Sequence, residues 1–261
     1  MEIGLSSASF YPYVNTEDSI SLMKSLGFNT GEIFLNSPSE YEADFIKKLV
    51  YEKEEKDFKI NSVHGFSGSF EPYLFDSYKR RALDMREYFK QVCAAGKALG
   101  AECYTFHGLR LDNLNNLDIK RIIEVYDELI YIASEAGIKL AQENVCWCMS
   151  SNLEFLSLLK EKCKNPLYFT IDIKQAYKAG IEPEKYVEIM AEKICNFHIN
   201  DRDNEKACML PGKGNVKYIE LVNKLMKYGY NGKGIIEVYR ENYCNYDELT
   251  KVKDYLTELL S

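Results

Sequence analysis

The sequence predicts an α/β protein: a closed (β/α)8 barrel, the TIM-barrel architecture, built as a single domain over residues 1–261. Three observations predict it. Eight short apolar segments alternate with eight helical ones, the order expected of parallel βαβ units. A chain of 261 residues matches the size of one such barrel. No Pro/Gly/Ser linker or low-complexity stretch divides it. A doubly wound open sheet is the alternative, but no Gly-x-Gly-x-x-Gly turn follows the first strand to support it.

Glu2 to Ser7 is a short apolar strand ending in small polar residues. Thr16 then caps a helix over Glu17–Leu26, where Ile20, Leu22, Met23 and Leu26 recur at helical spacing and Gly27 is the stop. Gly31–Leu35 is the second strand, and Ser39–Lys56 a charged amphipathic helix. Phe58–Val63 is the third strand, ending at His64. The Gly/Ser/Phe-rich segment from Gly65 to Pro72 is long enough for a functional loop. A long helix over Asp76–Leu99 closes at Gly100, and Glu102–Phe106 is a strand leading to His107 and Gly108.

Leu117–Ala136 is helical and stopped by Gly137, and Ile138–Gln142 is a strand ending at Glu143 and Asn144. Asn152 caps a helix to Lys162, and Leu167–Ile171 is a strand ending at Asp172. Pro183–Lys193 is helix and Ile194–Phe197 a strand broken by His198, ahead of the turn residues Asn200 and Asp201. Val216–Tyr228 is helix, Gly234–Ile236 with Val238 a strand carrying Glu237, and Tyr246–Leu260 the closing helix.

Composition narrows the function. A net charge of −7 argues against a polyanionic partner, so no nucleic acid is expected. No apolar run approaches the roughly 18 residues that span a bilayer, so no membrane is expected either. The N-terminus lacks a basic-then-apolar signal region, and the eight cysteines sit mostly within predicted helices and strands. They read as reduced thiols of a cytoplasmic protein. Cys146 and Cys148, two residues apart, have poor spacing for a zinc knuckle or a thioredoxin-type pair.

The functional signal is a recurrence. A buried parallel strand should be almost wholly apolar, yet polar groups stand at six strand ends: His64, His107, Glu143, Asp172, His198 and Glu237. All three histidines of the chain are among them. Barrel active sites lie at the carboxyl ends of the strands, so closure gathers these residues around one pocket. Each alone has an ordinary structural explanation as a helix cap, surface charge or core filler. Together, three carboxylates and one imidazole from strands five to eight leave a negative charge that costs several kcal/mol per buried ion unless paired. One divalent metal ion is the simplest compensation, and this donor mix suits Mn²⁺, Mg²⁺, Co²⁺ or Zn²⁺.

The strings SVHG, TFHG, LAQEN, TIDIKQA, FHINDR, LPGKGNV and GIIEVY resemble the xylose-isomerase-like barrel superfamily of sugar phosphate isomerases, epimerases and endonuclease IV. The resemblance runs over almost the whole chain. In the epimerase branch it implies that Glu143, Asp172, His198 and Glu237 hold one divalent metal, with Glu143 and Glu237 also the acid/base pair. The family's Asp-x-x-His on strand six is here Asp172 followed by Gln175, which cannot titrate and offers a neutral hydrogen bond instead.

The implied activity is a metal-dependent isomerase or epimerase of a small keto-sugar or related polyol. Its chemistry is proton transfer alpha to a carbonyl, which a carboxylate cannot perform unaided. His64, His107, Gln175 and Arg202 are the candidate substrate-binding residues, with wall packing the alternative for the histidines and a solvated loop charge that for Arg202. Lys213 in Pro-Gly-Lys-Gly reads as a tight turn or a phosphate cradle. Trp147, Phe66 and Phe70 are candidates for an apolar wall or lid. A keto-inositol dehydratase or hydroxypyruvate isomerase would begin with the same proton abstraction. An endonuclease IV-like nuclease needs an Asp-x-His pair that Lys206-Ala207-Cys208 does not provide. The partner is thus a small-molecule carbohydrate, and a homo-oligomer is left open.

Overall fold

The computed structural model describes residues 1–261, the side chain of Ser67 excepted. The strands are β1 (Ile3–Ser6), β2 (Thr30–Leu35), β3 (Lys59–Gly65), β4 (Cys103–Phe106), β5 (Lys139–Glu143), β6 (Tyr168–Asp172), β7 (Ile194–Ile199) and β8 (Gly234–Ile236). They close in sequence order, each parallel to the next, with β8 pairing back onto β1 through Ile3–Gly234 and Leu5–Ile236. All polar strand ends therefore emerge on one face.

The outer ring is α1 (Thr16–Ser25), α2 (Ala43–Glu55), α3 (Lys79–Leu99), α4 (Ile119–Ala136), α5 (Leu153–Lys162), α6 (Ile173–Lys178), α7 (Pro183–Met190), α8 (Tyr218–Lys227) and α9 (Asp247–Leu259). Their apolar stripes face the barrel. On α3 the buried Phe89, Val92, Cys93, Gly96 and Leu99 repeat every three or four residues, as do Ile122, Tyr126, Leu129 and Ala133 on α4. Gly100 and Gly137 end these two helices at φ 73° and 79°, a left-handed cap that favours glycine.

Three departures from the predicted elements have local causes. α3 begins at Lys79 rather than Asp76, because Asp76 instead accepts from the Tyr78 amide and the Arg81 guanidinium after a 3-10 turn over Glu71–Phe75. The predicted helix 183–193 stops at Met190, where Ala191 takes φ 48° and a 3-10 turn follows. α6 is an addition: the Asp172 side chain caps it by accepting from the Gln175 amide at 2.9 Å, so a helix starts directly at the end of β6. No helix among the described residues is long and apolar enough to cross a membrane.

Candidate metal centre and its cavity

The carboxyl end of the barrel carries a cavity of about 280 Å³ lined by His64, His107, Glu143, Lys174, Gln175 and Glu237, with Phe34, Phe66, Trp147 and Tyr239 among its walls. The volume lies near the lower end of small-ligand sites, roughly 300–1,000 Å³. At its floor, donor atoms of Glu143, Asp172, His198 and Glu237 all fall within 4.8 Å of one another. Strand register explains the convergence. Asp172 pairs with His198 across β6 and β7, while Glu143 ends β5 and Glu237 follows β8.

The spacing is that of a ligand shell. His198 Nδ1 lies 3.2 Å from Glu143 Oε1, 3.4 Å from Glu237 Oε2 and 3.6 Å from Asp172 Oδ2. Donors held at about 2.1 Å from an ion are separated by roughly 3.0 Å in an octahedron and 3.4 Å in a tetrahedron. Asp172 Oδ2 is buried with no hydrogen-bond donor, although its Oδ1 accepts from the Gln175 amide and from Asn200 Nδ2. A buried carboxylate oxygen without a hydrogen bond, its ammonium neighbour Lys174 Nζ no nearer than 3.5 Å and donor atoms of three other residues close by, fits a divalent cation, which removes the burial cost that hydrogen bonding leaves uncovered.

The surrounding groups orient these donors. His198 Nε2 lies 3.0 Å from Glu32 Oε2, so the ring can give its Nε2 proton to a carboxylate and keep Nδ1 for the centre. This is the usual arrangement behind a metal-bound histidine. Glu32, fully buried inside the barrel, also accepts from Ser6 of β1, Ser62 of β3, Thr105 of β4 and Asn196 of β7. Asn144 brackets the backbone of Asp172: its Oδ1 accepts from the Asp172 amide at 2.7 Å and its Nδ2 donates to the Asp172 carbonyl at 3.0 Å.

Burial opposes charge throughout, and the neighbours decide the outcome. For His198, burial is outweighed by Glu32, Glu237, Asp172 and Glu143, which hold the imidazole well above its ordinary range. For Glu237 it is outweighed by Lys174 and His198, and for Glu143 by the three histidines, so both carboxyls sit well below theirs. Asp172 alone of the three carboxylates is pushed up, by burial.

A second cluster shares one member. His64, His107 and Glu143 also bring donors within 4.8 Å. His64 Nε2 faces His107 Nε2 at 2.8 Å, and Glu143 Oε2 lies 2.8 Å from His107 Nε2. His64 Nδ1 is 2.7 Å from the Gly65 carbonyl, which in the neutral ring fixes the proton there and leaves Nε2 as an acceptor facing His107 Nε2. Glu71, from the loop after β3, accepts from the His107 and Gly108 amides and from the Tyr104 hydroxyl, pinning the exit of β4. Burial raises its carboxyl above the ordinary value.

Gln175 lines the cavity, and its Oε1 accepts from the Cys146 amide at 3.2 Å. Arg202 is not brought to the cavity wall among the described residues; its guanidinium stacks 4.0 Å over the Tyr177 ring. The Pro-Gly-Lys-Gly segment is a turn filled from within, because Asp201 accepts the Gly212, Gly214 and Val216 amides. Lys213 pairs with Glu248 rather than facing a ligand. Phe66 and Trp147 stand at the mouth, whereas Phe70 is buried beneath the loop.

Sequence reasoning missed Glu32, Glu71 and Lys174. For Glu32 a signal existed, since one carboxylate inside the otherwise apolar TGEIFL strand needs internal partners. Lys174 is buried, with Nζ 2.8 Å from Glu237 Oε2 and 3.5 Å from Asp172 Oδ2.

The family model described as xylose isomerase-like TIM barrel matches residues 20–259. The chain is 25% identical to the uncharacterized protein MJ1311 of Methanocaldococcus jannaschii, over 100% of this chain and 89% of that protein. A D-tagatose 3-epimerase-like protein superposes with a TM-score of 0.83 at 22% identity, covering 100% of this chain and 97% of the other. D-psicose 3-epimerase from Clostridium cellulolyticum H10, solved with D-tagatose, gives 0.77 at 15% identity, covering 99% and 98%.

Proposed function

We propose that this chain, which belongs to the xylose isomerase-like TIM barrel family, is a divalent-metal-dependent isomerase or epimerase of a small keto-sugar or related polyol. The observation that carries the reading is the convergence of Glu143, Asp172, His198 and Glu237 beneath a small cavity at the carboxyl end of the barrel. The epimerases of like fold lend support to the substrate class. Eight free thiols accord with a cytoplasmic setting.

Glu143, Asp172, His198 and Glu237 would hold one ion of the Mn²⁺, Mg²⁺, Co²⁺ or Zn²⁺ class. When bound, the ion supplies Lewis-acid stabilisation of the charge that develops on a substrate oxygen. Glu143 and Glu237 handle the proton. Both line the cavity and both are held ionised by their neighbours. One carboxylate would take the proton alpha to the carbonyl, and the other, after gaining a proton from solvent, would return it to the same or the adjoining carbon, the first then releasing its own to solvent. His64, His107 and Gln175 would position substrate hydroxyls, with Phe34, Phe66 and Trp147 excluding water around the C–H face.

A second reading of His64 and His107, as ligands of another ion sharing Glu143, is favoured by their donor spacing. Metal stoichiometry separates the two: one ion per chain supports the substrate-facing role, and two support the ligand role.

The test of the function is deuterium exchange. Metal-loaded protein in D₂O, given a panel of ketoses, keto-inositols and hydroxypyruvate, is expected to label one carbon of one ketose or polyol class. Chelator should stop the exchange, and Glu237→Gln should abolish it in a folded protein. No exchange across the panel, or exchange indifferent to chelator, overturns the proposal.

A further inference from the structure

We propose that Lys174 is a resident cation of the metal centre: its ammonium occupies Glu237 and Asp172 until a divalent ion displaces it, so this one side chain sets how tightly the centre binds metal. The inference rests on reading the four-residue cluster as a metal site. Its basis is atomic identity. Lys174 Nζ contacts Glu237 Oε2 at 2.8 Å and Asp172 Oδ2 at 3.5 Å. Those same two oxygens face His198 Nδ1 in the ligand shell. The tethered ammonium and an incoming ion thus draw on the same lone pairs.

The placement is built rather than incidental. Asp172 caps α6 through the Gln175 amide, and that cap fixes Lys174 in the first turn of the helix, two residues from one of its own carboxylate partners. Only 3% of Lys174 is exposed. A lysine so buried persists only where it is paired, and here its partners are the carboxylates of the centre. The side chain also has somewhere to go. Its Nζ lies 4.8 Å from the centroid of the Tyr239 ring, a cavity wall whose face attracts a cation. Displaced from the carboxylates, the ammonium would keep to that ring and to the substrate cavity, which Lys174 already lines. A nearby lysine provides the contrast. Lys178, on the same helix, lies 5.2 Å from the same ring and 3.3 Å from the Tyr239 hydroxyl, and it is exposed.

The experiment titrates chelator-stripped full-length protein with MnCl₂, reading bound ion by calorimetry and free Mn²⁺ by its paramagnetic resonance. Lys174→Met and Lys174→Gln are both made, so that one neutral variant serves if the other fails to fold. Lys174→Arg keeps the charge, and Lys178→Met removes a charge from the same helix without touching the carboxylates. Both neutral variants are expected to bind Mn²⁺ at least about tenfold more tightly than wild type. Lys174→Arg should stay near wild type, and Lys178→Met within about twofold. A neutral variant that binds Mn²⁺ equally or more weakly overturns the role of Lys174 and leaves the metal centre standing. If neither wild type nor any folded variant binds Mn²⁺, the metal reading falls and this inference with it. A gain as large in Lys178→Met would reduce the effect to general charge and also overturn the proposal.

Discussion

Replacing Glu32 by glutamine tests whether the centre is organised from behind. Glu32 lies beneath the ligands, yet its carboxylate is 3.0 Å from His198 Nε2 and accepts from Ser6, Ser62, Thr105 and Asn196. Alanine would be the wrong probe. It strands several buried donors at about 1–3 kcal/mol each, which approaches the whole stability of a domain, about 5–15 kcal/mol. Glutamine keeps the volume and one acceptor oxygen, and the Ser62 and Thr105 hydroxyls can rotate to accept from the new amide. What it removes is the charge that fixes His198 with Nδ1 free. Loss of such a partner typically lowers metal affinity 10–100-fold, about 1.4–2.7 kcal/mol. Calorimetric titration of stripped protein with Mn²⁺ measures it, beside circular dichroism to establish the fold. A folded Glu32→Gln protein with wild-type Mn²⁺ affinity would refute the argument that this carboxylate orients the ligand.

Three further outcomes follow from the geometry. Asp201→Ala leaves the Arg202, Gly212, Gly214 and Val216 amides without their acceptor; it should cost about 2–4 kcal/mol in urea unfolding, and a loss below about 1 kcal/mol would show that water replaces the carboxylate. In metal-free protein, burial disfavours the His64 cation, but Glu143, Glu32 and Glu237 outweigh it and hold the imidazole up at about 9. The stabilisation that this gives is complete below the free value of about 6.5 and is lost as pH rises through about 9. Mn²⁺ and protons compete for the same cluster, so the Mn²⁺-induced rise in melting temperature should grow between those pH values; a rise independent of pH would contradict it. Finally, a Cβ on Gly96 would overlap Ile138 Cδ1 and crowd Val63 Cγ2 at 2.9 Å. Gly96→Val should destabilise by about 1–3 kcal/mol in thermal melts, and an unchanged melting temperature would show that α3 can retreat from the barrel.

The barrel was legible because its signals are local and repeated: apolar strands, helical stripes, and glycines such as Gly100 and Gly137 where left-handed caps are needed. The gathering of His64, His107, Glu143, Asp172, His198 and Glu237 was legible too, since closure alone carries strand-end residues to one place. Glu32 was hidden because its partners come from four other strands and none is near it in sequence. Lys174 was hidden by its short helix, which starts where the strand stops and turns a residue of surface type inward. For Arg202 the sequence left an oxyanion contact and a solvated loop charge both open; what it could not show is the Tyr177 ring over which the guanidinium stacks.

Glu71 gives the mouth of the cavity a division of labour. The loop after β3 is fastened at this carboxylate to the amides of His107 and Gly108, while Phe66, earlier in the same loop, remains 47% exposed at the rim. Residues ahead of the fastening are therefore free to diversify, altering which molecule fits, without loosening the imidazole behind them. A change at the fastening itself would disturb both at once. Selection for a new substrate would accordingly leave its substitutions around Phe66 and spare Glu71.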